Sequence, residues 1–283
     1  MKHLVAIGIL FSILCAACSS SSKKADAKEE TDETKVVSQK ATSKKIYYNA
    51  FSHNDYWREH PLQDALDFRF NCVEADLWLI EGELYVSHDR PDPDPSITFE
   101  HLYLKPLVER MQANGGKVYP ESDRPFYLMV DCKAEGEALY KVLKQQIEPY
   151  KQYFCSVIDG VYTEGAILLF LSGDRPKESL PKESERYMFL DGQIQDLGKG
   201  IPATLAPVVS DDYFAYFNWI GIGDMPREQL AHMREIIRQV HEEGKLFRWW
   251  GAPDTQKFKR FFIEEGVDLV GADDLKSLYE VLN

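Results

Sequence analysis

Two acids stand two residues apart in Val73-Glu74-Ala75-Asp76-Leu77-Trp78. In an extended strand successive side chains alternate, so Glu74 and Asp76 project to one face. Asp131-Cys132-Lys133 repeats the spacing at the end of another apolar run, Phe126-Tyr127-Leu128-Met129-Val130. If these strands neighbour each other in a barrel, three acids and a lysine converge at its mouth. Carboxylates that face a packed interior are costly without a partner or a cation. An oxygen-only set suits one hard divalent ion, Mg²⁺ or Ca²⁺, and disfavours zinc, which recruits Cys or His. The competing account is a structural ion pair such as Asp131 with Lys133. Histidines bracket the first acidic pair: His53 in Ser52-His53-Asn54-Asp55-Tyr56, and His88 after Glu83-Leu84-Tyr85-Val86. Phosphodiester cleavage needs a base for the attacking oxygen, an acid for the leaving oxygen, and positive charge against the phosphoryl group. Two imidazoles that titrate near neutrality and a metal ion supply all three.

The elements that must position these groups alternate in type. Strands are predicted at Tyr47–Ser52, Asn71–Leu77, Phe126–Asp131, Ile167–Ser172, Tyr187–Leu190, Ala203–Val209, Leu246–Trp250 and Val267–Val270. Glu83 to Val86 reads as a further strand returning from the Glu81-Gly82 turn. Leu230, Met233, Ile237 and Val240 have helical spacing, with Gly244 as a stop. Another helix is expected after Asp254, burying Phe258, Phe261 and Phe262 and ending at Gly266. Strands alternating with helices of this length imply βα units and a parallel sheet. The long connections 89–125 and 173–186 are expected on the face where such folds build sites.

Composition narrows the classes of protein. Of 283 residues, 44% are hydrophobic and 28% charged, which disfavours collagenous, disordered and membrane-bundle chains. The net charge is −13; residues 1–45 hold eight Lys and five acids, so residues 46–283 carry about −16. A body that acidic repels phosphate backbones, and no nucleic-acid partner is expected. Residues 46–283 are long enough for one large domain with a substantial core. Cys72, Cys132 and Cys155, odd in number, are expected to be buried small apolar residues rather than disulfides.

The N-terminus reads as a targeting device. Met1-Lys2-His3 is basic, and the apolar run from Leu4 to Cys18 is too short to span a bilayer. Residues 1–17 resemble a bacterial lipoprotein signal, cleaved ahead of Cys18 at Ala16-Ala17-Cys18, with an ordinary signal peptide as the alternative. Residues 18–45 would then be a lipid anchor at Cys18 and a polar tether that cannot bury enough surface to order itself. No Asp follows Cys18, which by that resemblance favours an outer over an inner membrane. An exported monomer tied to a membrane by its anchor is expected.

From Ser52 onward the chain resembles the phosphatidylinositol phospholipase C-like phosphodiesterases, a superfamily that includes the glycerophosphodiester phosphodiesterases and the sphingomyelinase D-type enzymes. It is most similar to the branch named after altered inheritance of mitochondria protein 6. The residues that carry the resemblance include Ser52-His53-Asn54-Asp55-Tyr56-Trp57-Arg58, Val73 to Leu79, Leu102-Tyr103-Leu104, Ser172-Gly173-Asp174-Arg175-Pro176, Arg248-Trp249-Trp250-Gly251, and Asp273-Asp274-Leu275. The resemblance implies a TIM-type (β/α)₈ barrel over residues 46–283, with its site at the C-terminal ends of the strands. It implies His53 and His88 as the catalytic pair, Glu74, Asp76 and Asp131 as carboxylates for one divalent cation, and Lys133 as the phosphate-facing cation. Arg248, Trp250 and Asn54 would face a small phosphodiester or a phospholipid headgroup. Phe51 stands where many of the branch carry another histidine. His53-Asn54-Asp55 replaces the His-Arg-Gly of glycerophosphodiester phosphodiesterases, which leaves phosphate contact to Lys133, Arg248 or the metal.

Other polar and aromatic residues get plainer assignments. His60, His101, His232 and His241 read as non-catalytic, and Trp57, Trp78 and Trp219 as packing aromatics. Asp274 reads as the cap of a final helix, Leu275–Leu282, with Asp273 open between loop and site. Asp191 is open between pocket and turn. Metal-dependent phosphodiester hydrolysis is the leading function. A non-catalytic ligand-binding lipoprotein on the same barrel and a phosphomonoesterase are the alternatives.

Overall fold

The computed structural model describes residues 45–283. Eight parallel strands form the scaffold: β1 Tyr47–Ser52, β2 Phe70–Ile80, β3 Phe126–Cys132, β4 Ile167–Gly173, β5 Phe189–Gly192, β6 Val208–Asp212, β7 Leu246–Trp250 and β8 Val270–Ala272. Their spatial order follows the chain from β1 to β7, and β8 pairs with β1. Asp268 and Leu269, just before β8, donate backbone hydrogen bonds to the Phe247 carbonyl in β7 at 3.0 Å. The ring is thus almost closed, a TIM-type barrel.

Two apolar populations make this shape. Inside the ring, Phe51, Cys72, Met129, Phe170 and Phe189 pack together on alternate strand positions. Between them point Val73, Ala75, Leu128 and Val130, buried against the surrounding helices. A residue facing either way is therefore apolar over most of each strand, as expected where helices cover a parallel sheet. The inner positions turn polar only near the C-terminal ends, where Glu74, Asp76 and Asp131 stand.

Helices α1 Gln63–Asp67, α2 Lys105–Ala113, α3 Gly136–Ile147, α4 Tyr213–Tyr216, α5 Arg227–Glu242, α6 Gln256–Glu264 and α7 Leu275–Leu282 lie among the strands. The helix after Asp254 is capped by Thr255, whose side chain accepts from Phe258 N; Asp254 instead pairs with Lys259 at 2.6 Å. Phe261 is only half-buried there, whereas Phe258 and Phe262 are in the core. Asp274 caps α7 as expected, its Oδ1 accepting from Ser277 N at 3.0 Å.

Several strand boundaries differ from the sequence expectation. The expected strands at Tyr187–Leu190, Ala203–Val209 and Val267–Val270 begin later, at Phe189, Val208 and Val270. Their leading residues are spent on connections: Leu205 N turns back to Pro202 O, and Val267 N to Phe262 O. The segment Glu83–Val86 is a strand, antiparallel to β2. A separate three-stranded sheet, Ser156–Ile158, Val161–Thr163 and Glu185–Arg186, has no counterpart in the sequence expectation. Its strands are two or three residues long, too short to show an alternation. Cys72, Cys132 and Cys155 are buried free thiols. The signal, anchor and tether expected over residues 1–17 and 18–45 lie outside the described residues, apart from Lys45.

Candidate functional site

Register brings the acids together. Asp76 in β2 is level with Asp131 in β3, which is level with Ser172 in β4, so three polar side chains form one row at the C-terminal ends. Glu74 lies one layer deeper, level with Met129. All line a cavity of about 470 Å³ that also holds His53, His88, Lys133, Arg248 and Trp250. Every residue expected to carry chemistry in the barrel, Asn54 included, therefore faces one space.

His53 follows directly on β1, and Asn54 comes next in a left-handed conformation at φ 46° that turns its backbone N–H onto Glu74 Oε2 at 3.1 Å. The imidazole Nδ1 lies 2.8 Å from Asp273 Oδ1, and Nε2 lies 3.6 Å from Glu74 Oε2. Burial pulls the His53 pKa down, but the hydrogen bond to Asp273 and the charge of Glu74 outweigh it, and the net shift is upward. Asp273 is held below the usual carboxylate range by the same contact. The Asn54 amide donates to Asp273 Oδ1 at 3.4 Å.

His88 arrives by the hairpin. Pairing of Glu83–Val86 on β2 continues into Ser87, whose N–H donates to the Asp76 carbonyl at 3.0 Å. The His88 Nδ1 then lies 3.2 Å from Asp76 Oδ2, with the ring edge-on to Trp57 at 5.7 Å. Asp76 Oδ2 also accepts from Tyr56 Oη at 2.6 Å and meets Lys133 Nζ at 2.6 Å. Its other oxygen, Oδ1, is buried with no hydrogen-bond partner. Burial and the charge of Glu74 push the Asp76 pKa up, against the pull of Lys133 and Tyr56.

Lys133 spans Asp76 and Asp131, 2.7 Å from Asp131 Oδ2. Burial alone would lower its pKa; the two carboxylates hold it above the ordinary lysine value. The alternative of an Asp131–Lys133 ion pair is thus part of the arrangement. Among the described residues, no three His, Cys, Asp or Glu side chains stand close enough together to form a ready-made metal-holding group. The ammonium stands between two of the acids. Glu74 and Asp76 still fit a hard cation by chemistry, since both are buried oxygen donors and Asp76 Oδ1 is orphaned.

Arg248 rises from β7 into the barrel, stacked over Phe51 at 4.5 Å, with Nη1 3.4 Å from Met129 Sδ and Nη2 3.9 Å from Glu74 Oε1. Phe51 is the platform for this guanidinium. Trp250, two residues on, lines the cavity with its ring partly exposed.

Four residues at the site were not given roles from sequence. Asp273 partners His53, and Tyr56 links Asp76 to Asn54 Oδ1 at 2.8 Å. Arg58 donates to the carbonyls of His53 at 3.1 Å, Asp273 at 2.9 Å and Ala272 at 3.3 Å, joining the ends of β1 and β8. Asp55 is fully buried and accepts from Ser52 Oγ, Leu62 N and Tyr103 Oη, at 2.6, 2.5 and 2.9 Å. The signal for these was the dense polar run Ser52 to Arg58, in which only His53 and Asn54 were assigned to the site. Asp191, open between pocket and turn, is inside the barrel, accepting from Ser172 Oγ at 2.9 Å and from Ser210 Oγ. Among the histidines read as non-catalytic, His232 packs near Tyr216 and Phe217, and His241 pairs with Asp268 at 2.7 Å.

Comparison with known proteins gives a family and a fold. Residues 39–191 match the family described as the AIM6-like phosphodiesterase domain. Altered inheritance of mitochondria protein 6 of Kluyveromyces lactis is 27% identical over 87% of this chain and 75% of its own length. The homolog from Arthroderma benhamiae is 25% identical, over 80% and 81% of the two chains. These relatives are fungal and lend nothing to the expectation of a bacterial lipoprotein. A crystal structure of a glycerophosphodiester phosphodiesterase from Parabacteroides distasonis superposes with a TM-score of 0.52 at 15% identity, covering 83% of this chain and 96% of that one. At that identity the likeness concerns the fold alone.

Proposed function

The chain belongs to the AIM6-like phosphodiesterase family, and from that premise we propose that it is a phosphoric diester hydrolase in which His53 and His88 move the protons. The observation that carries this reading is the pairing of each imidazole with its own carboxylate across one cavity, His53 with Asp273 and His88 with Asp76. With Nδ1 donating to the carboxylate, each ring keeps Nε2 for the substrate's proton, that of His53 lying 3.6 Å from Glu74 Oε2. His88 takes the proton of the attacking water or of a neighbouring substrate hydroxyl as the new P–O bond forms. His53, whose protonated form Asp273 and Glu74 favour, delivers a proton to the departing alcohol as the old P–O bond breaks. Lys133 and Arg248 offset charge on the phosphoryl oxygens, and Trp250 and Asn54 border the alcohol.

Glu74 and Asp76, with Asp131 beside them, would hold one divalent cation, Mg²⁺ or Ca²⁺, which supplies Lewis-acid stabilisation of phosphoryl oxygen when bound. The substrate is a small phosphodiester or a phospholipid headgroup. His53→Ala and His88→Ala should each lower turnover of an aryl phosphodiester by about 10²- to 10⁴-fold, with cooperative unfolding retained. Full activity in either variant refutes the assignment. Phosphorus NMR of the product separates hydrolysis from formation of a cyclic phosphate.

A further inference from the structure

A second cavity, of about 340 Å³, adjoins the catalytic one, and Arg175, Lys177 and Gln193 line both. These residues stand at the junction, while Leu190, Leu205 and Ala206 give the annex an apolar side.

The cations of the catalytic cavity differ in what is left of their charge. Lys133 is engaged by Asp76 and Asp131, and Arg248 lies against Glu74. Among the described residues, neither the Arg175 nor the Lys177 side chain has an ion-pair or hydrogen-bond partner. Their backbone, by contrast, is fixed. Asp174 N donates to Cys132 O at 2.8 Å, and Asp174 Oδ2 accepts from Gly136 N at 3.1 Å. A side chain at Gly136 would overlap the Asp174 carbonyl, so glycine is required for this approach. Beyond the pair, Glu137 Oε1 accepts from Glu178 N at 2.9 Å and Ser179 N at 3.3 Å. Two free cations are thus presented from a pinned loop, in a protein of net charge −13.

The two acids that line the annex hydrogen-bond to other groups. Asp196 Oδ2 accepts from Gln193 N at 3.1 Å. Asp191 is fully buried under Ser172 and Ser210, and burial raises its pKa, with Arg175 acting in the opposite sense. A locally positive junction in an acidic protein concentrates anions.

We propose that the annex is a subsite for the alcohol that stays esterified to phosphorus, and that Arg175 and Lys177 select phosphodiesters in which that alcohol carries a second anionic group, a phosphomonoester or a carboxylate. The proposal rests on the phosphodiesterase reading above. It predicts a preference set by charge at a distance from the scissile bond, independent of the histidines.

The test compares 4-nitrophenyl 3-methoxypropyl phosphate with 4-nitrophenyl 3-phosphonooxypropyl phosphate, following nitrophenolate. Wild-type protein should favour the second in kcat/KM by about tenfold, and R175A/K177A should reduce that ratio to near one, while R175K/K177R keeps it. R175Q/K177Q is measured alongside, in case the alanine pair does not fold. An equal ratio in wild type and the neutral variants overturns the subsite. If wild type turns over neither ester, the phosphodiesterase reading fails, and calorimetry with propane-1,3-diol bisphosphate decides on the annex separately. Binding about tenfold weaker in the neutral variants supports it, and equal binding overturns it.

Discussion

Asp273 holds the far side of the His53 ring and, in the mechanism above, acts only through it. Asp273→Asn keeps the shape of the side chain but removes the charge that favours imidazolium. The expected outcome is a fall in kcat of about 10- to 100-fold, typical of a lost carboxylate behind a functional histidine, with KM changed much less. Steady-state kinetics on one aryl diester checks it, and an unchanged kcat would make Asp273 a bystander. The orphaned Asp76 Oδ1 has its own expectation. Chelation with EDTA should suppress turnover, and added Mg²⁺ or Ca²⁺ should restore it; full activity in excess chelator removes the cation from the proposal. At this scale Glu74, Asp76, Asp131, Lys133 and the two histidines were legible, because strand alternation and strand ends are local facts. Asp273 was not assigned, since its partner is 220 positions away. A reading of spacing had to choose between two adjacent aspartates, of which Asp274 caps the helix.

The elements matter most at strand ends, where the barrel converts pairing into convergence. Gly173 closes β4 at φ +64°, and a Cβ there would overlap Asp131 Oδ1 and the Cys132 carbonyl. Gly173→Ala should therefore displace Asp131 and its partner Lys133. The left-handed backbone adds a cost of about 1–2 kcal/mol for a residue with a side chain. Urea unfolding should register the strain, and turnover should drop at least tenfold; a variant with wild-type kinetics would mean Asp131 is free to move without consequence. The strand and helix alternation was legible because its apolar runs are long. Strand starts at Phe189, Val208 and Val270 were placed too early, since buried connection residues such as Met188 and Val267 look like strand to a pattern of hydrophobicity. The short Ser156–Ile158 sheet was invisible for the opposite reason, being exposed along Val161–Thr163 and brief.

The whole chain has a net charge of −13, yet Lys133, Arg175, Lys177 and Arg248 all line the one cavity. Among the described residues no helix is long and apolar enough to cross a membrane. The lipid anchor at Cys18 is a proposal from the sequence, with its own test. Cys18→Ala should abolish incorporation of labelled fatty acid and shift the protein from the membrane fraction to the soluble one. Unaltered fractionation would reject the anchor. The barrel itself has a seam. Arg58 clasps the carbonyls of His53, Ala272 and Asp273, and the His53–Asp273 contact crosses the same join between β1 and β8. The clasp and the imidazole contact thus share one hinge line, so parting β8 from β1 would pull Asp273 away from His53 in the same movement.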